Sequence, residues 1–216
     1  VQDYEADFFP KGTEYFLAES TLDFGFHCIT AGKWLRAVLE KRGLKNVSHF
    51  DLAYDSKNYF PPKKVRPQAK RIAFYCRSAT PRRLTEMGLL ALGILAQERS
   101  DFQVDLFGEK AVGEQMAFPC RCRGILDAKE LGNLYRESTV GIVFSATNYS
   151  LIPQEMMACG LPVLEMDGEN TRQSFPEGTV LLSPPDPESV AEALSALLND
   201  SARRKEQAKQ ALAHIR

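Results

Sequence analysis

The sequence predicts an α/β fold with a doubly wound parallel sheet, and three observations support this prediction. Segments with strand and helix character alternate between residues 71 and 199, as in parallel sheets whose strands are joined by crossover helices. Some strand segments, such as residues 140–145, are continuous apolar runs of the kind buried on both faces of a sheet. Helix starts carry capping residues, among them Asp127 and the pair Asp186-Pro187.

A short amino-terminal piece precedes this sheet domain. The stretch 61–67 holds three prolines and three cations, a composition that builds no packed element and is typical of a linker. We therefore expect a remnant of an amino-terminal α/β domain over 1–62, a linker over 63–70, the sheet domain over 71–199 and a carboxyl-terminal helix over 200–216. The chain starts at Val1 without an initiating methionine, and we expect it to be a piece of a longer protein.

Local signals predict the elements of the amino-terminal piece. Thr13 is the expected cap of a helix over 14–24. A second helix is expected over 33–42, and strands over 26–30 and 50–54.

The sheet domain has the clearer pattern. Strands are expected over 71–76, 102–107, 140–145, 161–166 and 178–183, with a short one inside 119–126. Helices are expected over 84–98, 128–137, 153–159 and 187–198, and a polar helix over 201–216. The first of these helices should face the sheet through Met87, Leu90, Ala91, Ile94 and Leu95.

The composition is that of an ordinary globular protein. Of 216 residues, 44% are hydrophobic and 25% charged, with a net charge of −1, so charge gives no case for nucleic acid as a partner. No apolar run approaches the ~18 residues of a transmembrane segment. The five cysteines are odd in number and lack zinc spacing. We expect reduced thiols and a cytoplasmic location, with peripheral attachment to the inner membrane left open.

The central unit runs from Val140 to Asp167 as strand, polar loop, short helix and second strand. Its loop, 146–150, follows the carboxyl end of the first strand, where ligands of open α/β sheets bind. The helix start beyond it offers free N–H groups and partial positive charge, which suit a phosphate. Glu155, in the first turn, either accepts from a neutral hydroxyl such as that of a ribose or only complements the helix dipole. Its position alone does not separate the two readings.

Three segments together resemble the retaining glycosyltransferases of the GT-B fold, family 4 of the usual classification. Arg77 ends the first strand of the sheet domain and Arg82 follows five residues later, which resembles the family's Arg-then-Lys pair. The segment 122–135 resembles the part that cradles the nucleotide base. Pro153–Val163 is similar to the motif LEAMACGLPVV, so the second acid of the family's Glu-x7-Glu pair falls on Glu155.

The resemblance implies a Rossmann-like donor-binding domain that takes part in sugar transfer from a nucleotide-diphosphate donor. The acceptor would be a saccharide or lipid-linked saccharide, and neither a cofactor nor a metal is expected. It implies Arg77, Arg82 and Glu155 as catalytic residues. The implied donor contacts are those three together with Gly124, Ile125, Thr147, Asn148, Tyr149, Ser150 and Leu151.

The chain departs from the family at one position. The first acid of the pair should stand eight residues before Glu155, where this sequence has Thr147. A threonine offers a shorter, neutral hydroxyl, which is compatible with a donor sugar that lacks one hydroxyl. The segments 1–5, 7–12 and 26–30 likewise resemble bacterial rhamnosyltransferases that build surface polysaccharides.

The proposed chemistry also has a physical basis. A diphosphate leaving group gains negative charge as its glycosidic bond breaks, and fixed cations stabilise that charge. An arginine suits the lysine position because its planar fork binds phosphate through two hydrogen bonds. A solvated basic loop is the alternative reading of Arg77 and Arg82.

Two other functions stay open. One is a non-catalytic module for nucleotide-sugar binding or assembly, in which Thr147 marks lost activity. The other is a sugar-nucleotide 2-epimerase of the same fold, but the carboxyl-terminal half offers only His214 as a histidine. Because most of the amino-terminal domain is expected to be missing, we expect no sugar transfer by this chain alone. By analogy with the family, the helix over 201–216 should lie on the surface of the amino-terminal domain.

Overall fold

The computed structural model describes residues 1–63, 70–110 and 116–215. Its strands are β1 (Cys28–Ala31), β2 (Val47–Phe50), β3 (Lys70–Tyr75), β4 (Phe102–Phe107), β5 (Cys120–Gly124), β6 (Val140–Ile142), β7 (Val163–Met166) and β8 (Leu181–Ser183). Its α-helices are α1 (Thr13–Ser20), α2 (Lys33–Lys41), α3 (Thr85–Glu98), α4 (Ala128–Glu137), α5 (Ile152–Ala158), α6 (Glu169–Ser174), α7 (Pro187–Asn199) and α8 (Ser201–His214). Short 3-10 helices cover Glu5–Phe8, Thr21–Phe24 and Pro81–Arg83.

The sheet domain is doubly wound, as predicted. Its six strands lie in the order β5-β4-β3-β6-β7-β8, and every pairing is parallel. The chain builds outward from β3 to β5, then returns to the other side of β3 with β6. The order reverses between β3 and β6, so the crevice at their carboxyl ends is the position where such sheets bind ligands.

Helices cover both faces of the sheet because successive strand side chains point to opposite sides. On one face, Ile72 and Phe74 join α3 and α7 in a buried apolar cluster. On the other face, Ala73 packs with residues of α4, α5 and α8. Both faces are therefore covered, which explains the continuous apolar strands.

Local capping signals predicted two helix starts correctly. Asp127 accepts from Glu130 N at 2.8 Å, and the Glu130 carboxylate accepts from Asp127 N at 2.9 Å, which is a complete capping box. Asp186 accepts from Ser189 N at 2.8 Å. Both helices begin one residue after the capping aspartate.

The amino-terminal piece forms a two-stranded parallel sheet joined by α2. The predicted strand over 50–54 is wrong, because β2 ends at Phe50 and begins at Val47. The predicted cap at Thr13 is also wrong, since Gly12 precedes the helix and no side chain caps it. The helix predicted over 14–24 is α1 followed by a 3-10 helix.

Two predictions in the sheet domain need correction. Leu90 was expected to face the sheet but is 62% exposed, because Gly88 and Leu92 are buried beside the correctly predicted Ala91 and Leu95. The helix α6 was not predicted at all, since its polar sequence lacks an apolar stripe.

The helix α8 packs mainly on the sheet domain rather than on the amino-terminal piece. Gln207 donates to Val163 O at 2.7 Å, and Ala211 is fully buried in the cluster with α5. Its end, at His214 and Ile215, also borders a cavity lined by Lys33 of the amino-terminal piece. A buried glutamine that satisfies a strand carbonyl explains why a polar helix lies there.

The predicted linker and one loop lie partly outside the described residues, at 64–69 and 111–115. Within the described ranges, no helix has the length and apolar character needed to span a bilayer.

Two glycines of α3 allow a direct test of its packing. A Cβ on Gly88 would overlap the ring of the buried Phe74 and meet Phe144 at 3.0 Å, whereas a Cβ on Gly93 would enter open space. We expect Gly88→Ala to destabilise the chain by roughly 1–3 kcal/mol through overpacking. The control Gly93→Ala should stabilise it by about 0.5–1 kcal/mol through helix propensity. Urea unfolding measures both, and equal effects of the two substitutions would contradict this packing.

Candidate functional site

The loop after β3 is held in a strained conformation beside the switch point. Arg77 follows the strand, its side chain is exposed, and its backbone N–H donates to Thr85 Oγ1 at 2.9 Å. Leu84 has φ 47°, and within the described ranges no other non-glycine residue has a positive φ. Strain of this kind persists where the surroundings enforce it, often at functional sites. Leu84 joins the turn 81–83 to the start of α3.

Backbone and side-chain bonds join this loop to the one after β6. The carbonyl of Arg82 accepts from Ala146 N at 3.0 Å. The guanidinium of Arg83 donates to Phe144 O at 3.4 Å and to Ser145 Oγ at 3.0 Å. The loops that follow β3 and β6 are therefore connected across the switch point.

A buried polar network supports the loop after β6 from below. Ser145 Oγ donates to Glu165 Oε2 at 3.1 Å, and Met166 N donates to Glu165 Oε1 at 3.0 Å. The side-chain amide of Asn170 donates to the carbonyls of Ser145 and Thr147. These bonds fix the backbone that presents Thr147 to the crevice.

Glu165 is the most strongly perturbed acid of this network. Complete burial raises the pKa of Glu165 from 4.5 to about 8, although hydrogen bonds from Met166 N and Ser145 and the charge of Arg83 act in the opposite direction. Burial also lowers the pKa of Arg83. Burial therefore favours the protonated form of the Glu165 carboxyl.

Asp3, from the amino-terminal segment, contacts the same loop. Its Oδ2 accepts from Thr147 Oγ1 at 2.8 Å, and its Oδ1 accepts from Asn148 N at 2.9 Å and from Tyr4 N at 2.9 Å. Its side chain is buried, with 6% of the residue exposed. A carboxylate is thus present beside position 147, but it comes from the other end of the chain.

Arg82 lies between two residues of the amino-terminal segment. Its Nε is 3.6 Å from Asp3 Oδ2, and its guanidinium stacks 4.0 Å above the ring of Phe8. The Nε makes no hydrogen bond to any described residue. The arginine predicted to bind diphosphate is therefore already oriented by a charge and by an aromatic face.

Asn148 and Tyr149 join the loop to the amino-terminal piece. The Asn148 side-chain amide donates to Gln2 O at 2.9 Å and to Ala31 O at 2.7 Å. Tyr149 packs so closely on Gly32, which has φ 88°, that a Cβ there would lie 2.6 Å from its ring. Both amide hydrogens of Asn148 are used in this contact, and donor binding by either residue stays a prediction.

Glu155 lies inside the fold rather than at its surface. The residue is 8% exposed, and burial raises the pKa of its carboxyl from 4.5 to about 7, although a hydrogen bond from Tyr59 acts in the opposite direction. Its Oε2 forms no hydrogen bond within the part of the chain that the structure describes. A buried acceptor without a partner is costly, and a ligand hydroxyl would satisfy it.

The remaining predicted donor contacts lie along the same edge of the sheet. Gly124 ends β5 with φ 71°, and Ile125 after it is 69% exposed, an apolar surface suited to the base of a nucleotide. Ser150 and Leu151 precede α5, and Ser150 Oγ is buried without a hydrogen bond to any described residue. These four assignments remain predictions.

Sequence reasoning missed four residues of this network: Asp3, Arg83, Glu165 and Asn170. An acid inside the strand predicted over 161–166 was a local signal for Glu165. For Arg83, the signal was its position next to the predicted Arg82 in the sequence. No local pattern could bring Asp3 to Thr147 across 144 positions, and Asn170 lies on the helix that was not predicted.

Residues 70–195 match the family described as the WsaF C-terminal domain. The chain belongs to this family. It is also 34% identical over 212 residues to the O-antigen biosynthesis protein RfbC of Myxococcus xanthus, a match that covers 94% of the chain and 16% of that protein. The chain therefore spans a small part of the length of this relative.

Solved structures similar to this chain show which fold it has. A variant of TarM from S. aureus, in complex with UDP, has a TM-score of 0.81 at 13% identity, over 100% of this chain and 46% of that one. HepE of Anabaena, in complex with UDP-glucose, has a TM-score of 0.79 at 14% identity, over 99% and 66%. The predicted fold class is confirmed: the sheet is that of the Rossmann-like C-terminal domain of GT-B glycosyltransferases.

The buried Glu165 gives a testable dependence of stability on pH. Because its pKa is higher in the folded chain than in the unfolded chain, its contribution is complete below about pH 4.5 and is lost as the pH rises through about 8. We expect the free energy of unfolding to fall by several kcal/mol between these limits.

In the Glu165→Gln variant the side chain cannot ionise, so the free energy of unfolding should depend less steeply on pH. Glu155, whose pKa is also raised, should account for part of the remaining dependence. The control Glu169→Gln, an exposed acid on α6, should leave the slope unchanged. Urea unfolding across the pH range measures all three proteins. A Glu165→Gln slope equal to that of the wild type would contradict the assignment.

Proposed function

We propose that this chain is the donor-binding half of a retaining, family 4 glycosyltransferase, and that it binds the nucleoside diphosphate part of a sugar donor. The observation that carries the proposal is the junction at the switch point. There the loop that holds Arg77 and Arg82 meets the loop of Thr147, through the bond of Arg82 O with Ala146 N at 3.0 Å. Ligands of open α/β sheets bind at this crevice.

The proposed role of the arginines is electrostatic. Arg77 and Arg82 would bind the diphosphate of the donor and stabilise the charge that grows on it as the bond to the sugar breaks. Each charge-assisted hydrogen bond of this kind contributes roughly 1.5–3 kcal/mol. Within the described ranges, no group of three or more His, Cys, Asp or Glu residues is arranged to hold a metal ion. That binding needs no metal is part of the proposal.

Glu155 is proposed as the ribose contact. Its Oε2 has no partner among the described residues. The vicinal hydroxyls of a ribose are neutral donors that can form hydrogen bonds to a carboxylate. The exposed Ile125 would lie against the base. Thr147, Asn148, Tyr149, Ser150 and Leu151 would form the side of the site nearest to the donor sugar.

The donor sugar is proposed to be a deoxy sugar such as rhamnose, destined for a saccharide or lipid-linked saccharide of a bacterial surface polysaccharide. The support is the resemblance of segments 1–5, 7–12 and 26–30, together with the name of the Myxococcus relative as an O-antigen biosynthesis protein. The argument from the missing acid at Thr147 is weaker, because Asp3 brings a carboxylate to that position. We place the domain in the cytoplasm, in contact with the rest of its amino-terminal domain.

A 2-epimerase is the weaker alternative. His214 borders a cavity of about 360 Å³ with Lys33, Asp51 and Gln154, and none of the bonds that connect the switch-point loops involves it. The non-catalytic alternative differs from the proposal only in turnover. Sugar transfer by the full-length protein, measured beside nucleotide binding by this chain, distinguishes them.

Calorimetric titration with a nucleoside, its monophosphate and its diphosphate tests the proposed site. We expect UDP, GDP or dTDP to bind with or without EDTA. Arg77→Ala and Arg82→Ala should each weaken diphosphate binding by roughly 1.5–3 kcal/mol and leave nucleoside binding nearly unchanged. Glu155→Gln should weaken both ligands alike, by roughly 1–2 kcal/mol.

Arg203→Ala, an exposed arginine on α8, serves as the matched control and should change neither affinity. If the arginine variants lose nucleoside and diphosphate equally, those side chains are not phosphate ligands. If none of the diphosphates binds, the proposed function is wrong.

A further inference from the structure

We propose that Asp3 is a positioning residue for the diphosphate site: it orients Arg82 toward the ligand from a segment remote in sequence. The inference rests on the proposed function, because it assigns the ligand of Arg82 to a diphosphate. It adds a residue that no local motif of the sheet domain contains. The amino-terminal segment thereby becomes part of the donor site.

The first reason is that the carboxylate of Asp3 is itself immobilised. It accepts three hydrogen bonds of 2.8–2.9 Å, from Thr147 Oγ1, Asn148 N and Tyr4 N, and the residue is 6% exposed. A carboxylate has about four acceptor positions. Three of them are occupied here, so a further partner has little freedom to reorient the Asp3 carboxylate. Asp3 cannot follow Arg82 if that side chain moves, and it acts as a fixed charge.

The second reason is the edge of the Arg82 guanidinium that faces the Asp3 carboxylate. The nearest approach to Asp3 is through Nε, at 3.6 Å. The guanidinium carbon of Arg82 lies 4.0 Å from the centroid of the Phe8 ring. No described residue hydrogen-bonds to the two terminal nitrogens. Those nitrogens form the fork that binds phosphate through paired hydrogen bonds, and this edge is left for the ligand.

The third reason is the position of the contact. Thr147 and Asn148, which hold Asp3, follow β6, and Arg82 follows β3, so Asp3 joins the two loops that border the switch point. Arg83 and Ala146 already connect these loops from below. Asp3 adds a further connection between them, since its Oδ2 accepts from Thr147 Oγ1 at 2.8 Å and lies 3.6 Å from Arg82 Nε.

A competing interpretation predicts the opposite effect of Asp3 on the affinity for diphosphate. If Asp3 neutralised Arg82 in place of the ligand, the diphosphate would have to displace it, and removal of the charge would strengthen binding. In the positioning role, removal of the charge weakens binding because Arg82 loses its orientation. Asp3→Asn separates the two, since asparagine is nearly isosteric and keeps one acceptor for the loop.

The experiment is calorimetric titration of UDP, GDP and dTDP and of their nucleosides into the 216-residue chain and its variants. Asp3→Asn should weaken diphosphate binding roughly tenfold, about one charge-assisted contact, and leave the nucleoside affinity unchanged. In an Arg82→Ala background, Asp3→Asn should cause no further loss, because the residue acts through Arg82. Glu5→Gln, an exposed acid of the same segment, is the matched control and should change neither affinity.

Phe8→Leu provides a second variant if Asp3→Asn lowers the folded fraction. It retains an apolar side chain but removes the aromatic face, and it should weaken diphosphate binding roughly threefold with no effect on the nucleoside. Tighter diphosphate binding by Asp3→Asn would overturn the positioning role. So would an equal loss for nucleoside and diphosphate, or an undiminished loss in the Arg82→Ala background. If the wild type binds no diphosphate at all, the proposed function fails first, and the role of Asp3 fails with it.

Discussion

The pairing of β3 with β6 is the interaction on which the rest of this structure depends. It aligns Ile72 with Val140 and Phe74 with Ile142 in the middle of the sheet, and Thr139 N donates to Arg71 O at 2.7 Å where the two strands begin. Because the chain leaves β3 in one direction and returns beside it, two loops emerge next to each other at the carboxyl edge. The arginines and the Thr147 loop meet for this topological reason.

Burial of polar groups then determines how rigid that edge is. Glu165, Ser145, Arg83 and Asn170 sit beneath the loop in a largely dry environment, where hydrogen bonds are strong and an unsatisfied group is costly. The network fixes the backbone of 145–148, and a fixed backbone is what a preorganised anion site requires. Above the loop, Asp3 performs the same function with a charge supplied by the amino-terminal piece. The site is therefore shared between two parts of the chain.

Much of the fold followed from the sequence because its signals are local. The caps at Asp127 and Asp186 act within three residues, and apolar runs mark strands covered on both faces. The predictions that failed depended on tertiary packing. Leu90 was assigned inward from periodicity, but the close contact of Gly88 with Phe74 rotates α3 so that Leu90 faces outward.

The candidate site shows the same division. Arg77, Arg82 and Glu155 were predicted as site residues from spacing and resemblance, since they lie in one contiguous unit or beside a strand end. Their surroundings were not predictable: Glu155 is hydrogen-bonded by Tyr59, which belongs to the amino-terminal piece, and Arg82 lies beside Asp3 and Phe8 of the same piece. A sequence pattern reports which groups are present, whereas these partners come together only through the fold.

The most direct test of the account is amide hydrogen exchange of the chain with and without a nucleoside diphosphate. If the switch point between β3 and β6 is the donor site, added protection should be concentrated in 77–84 and 144–155, the two loops and the start of α5. Protection confined to another region, such as the groove lined by Arg172, Gly178 and Arg203 between β8 and α8, would contradict it. Binding without any change in the two loops would contradict it equally.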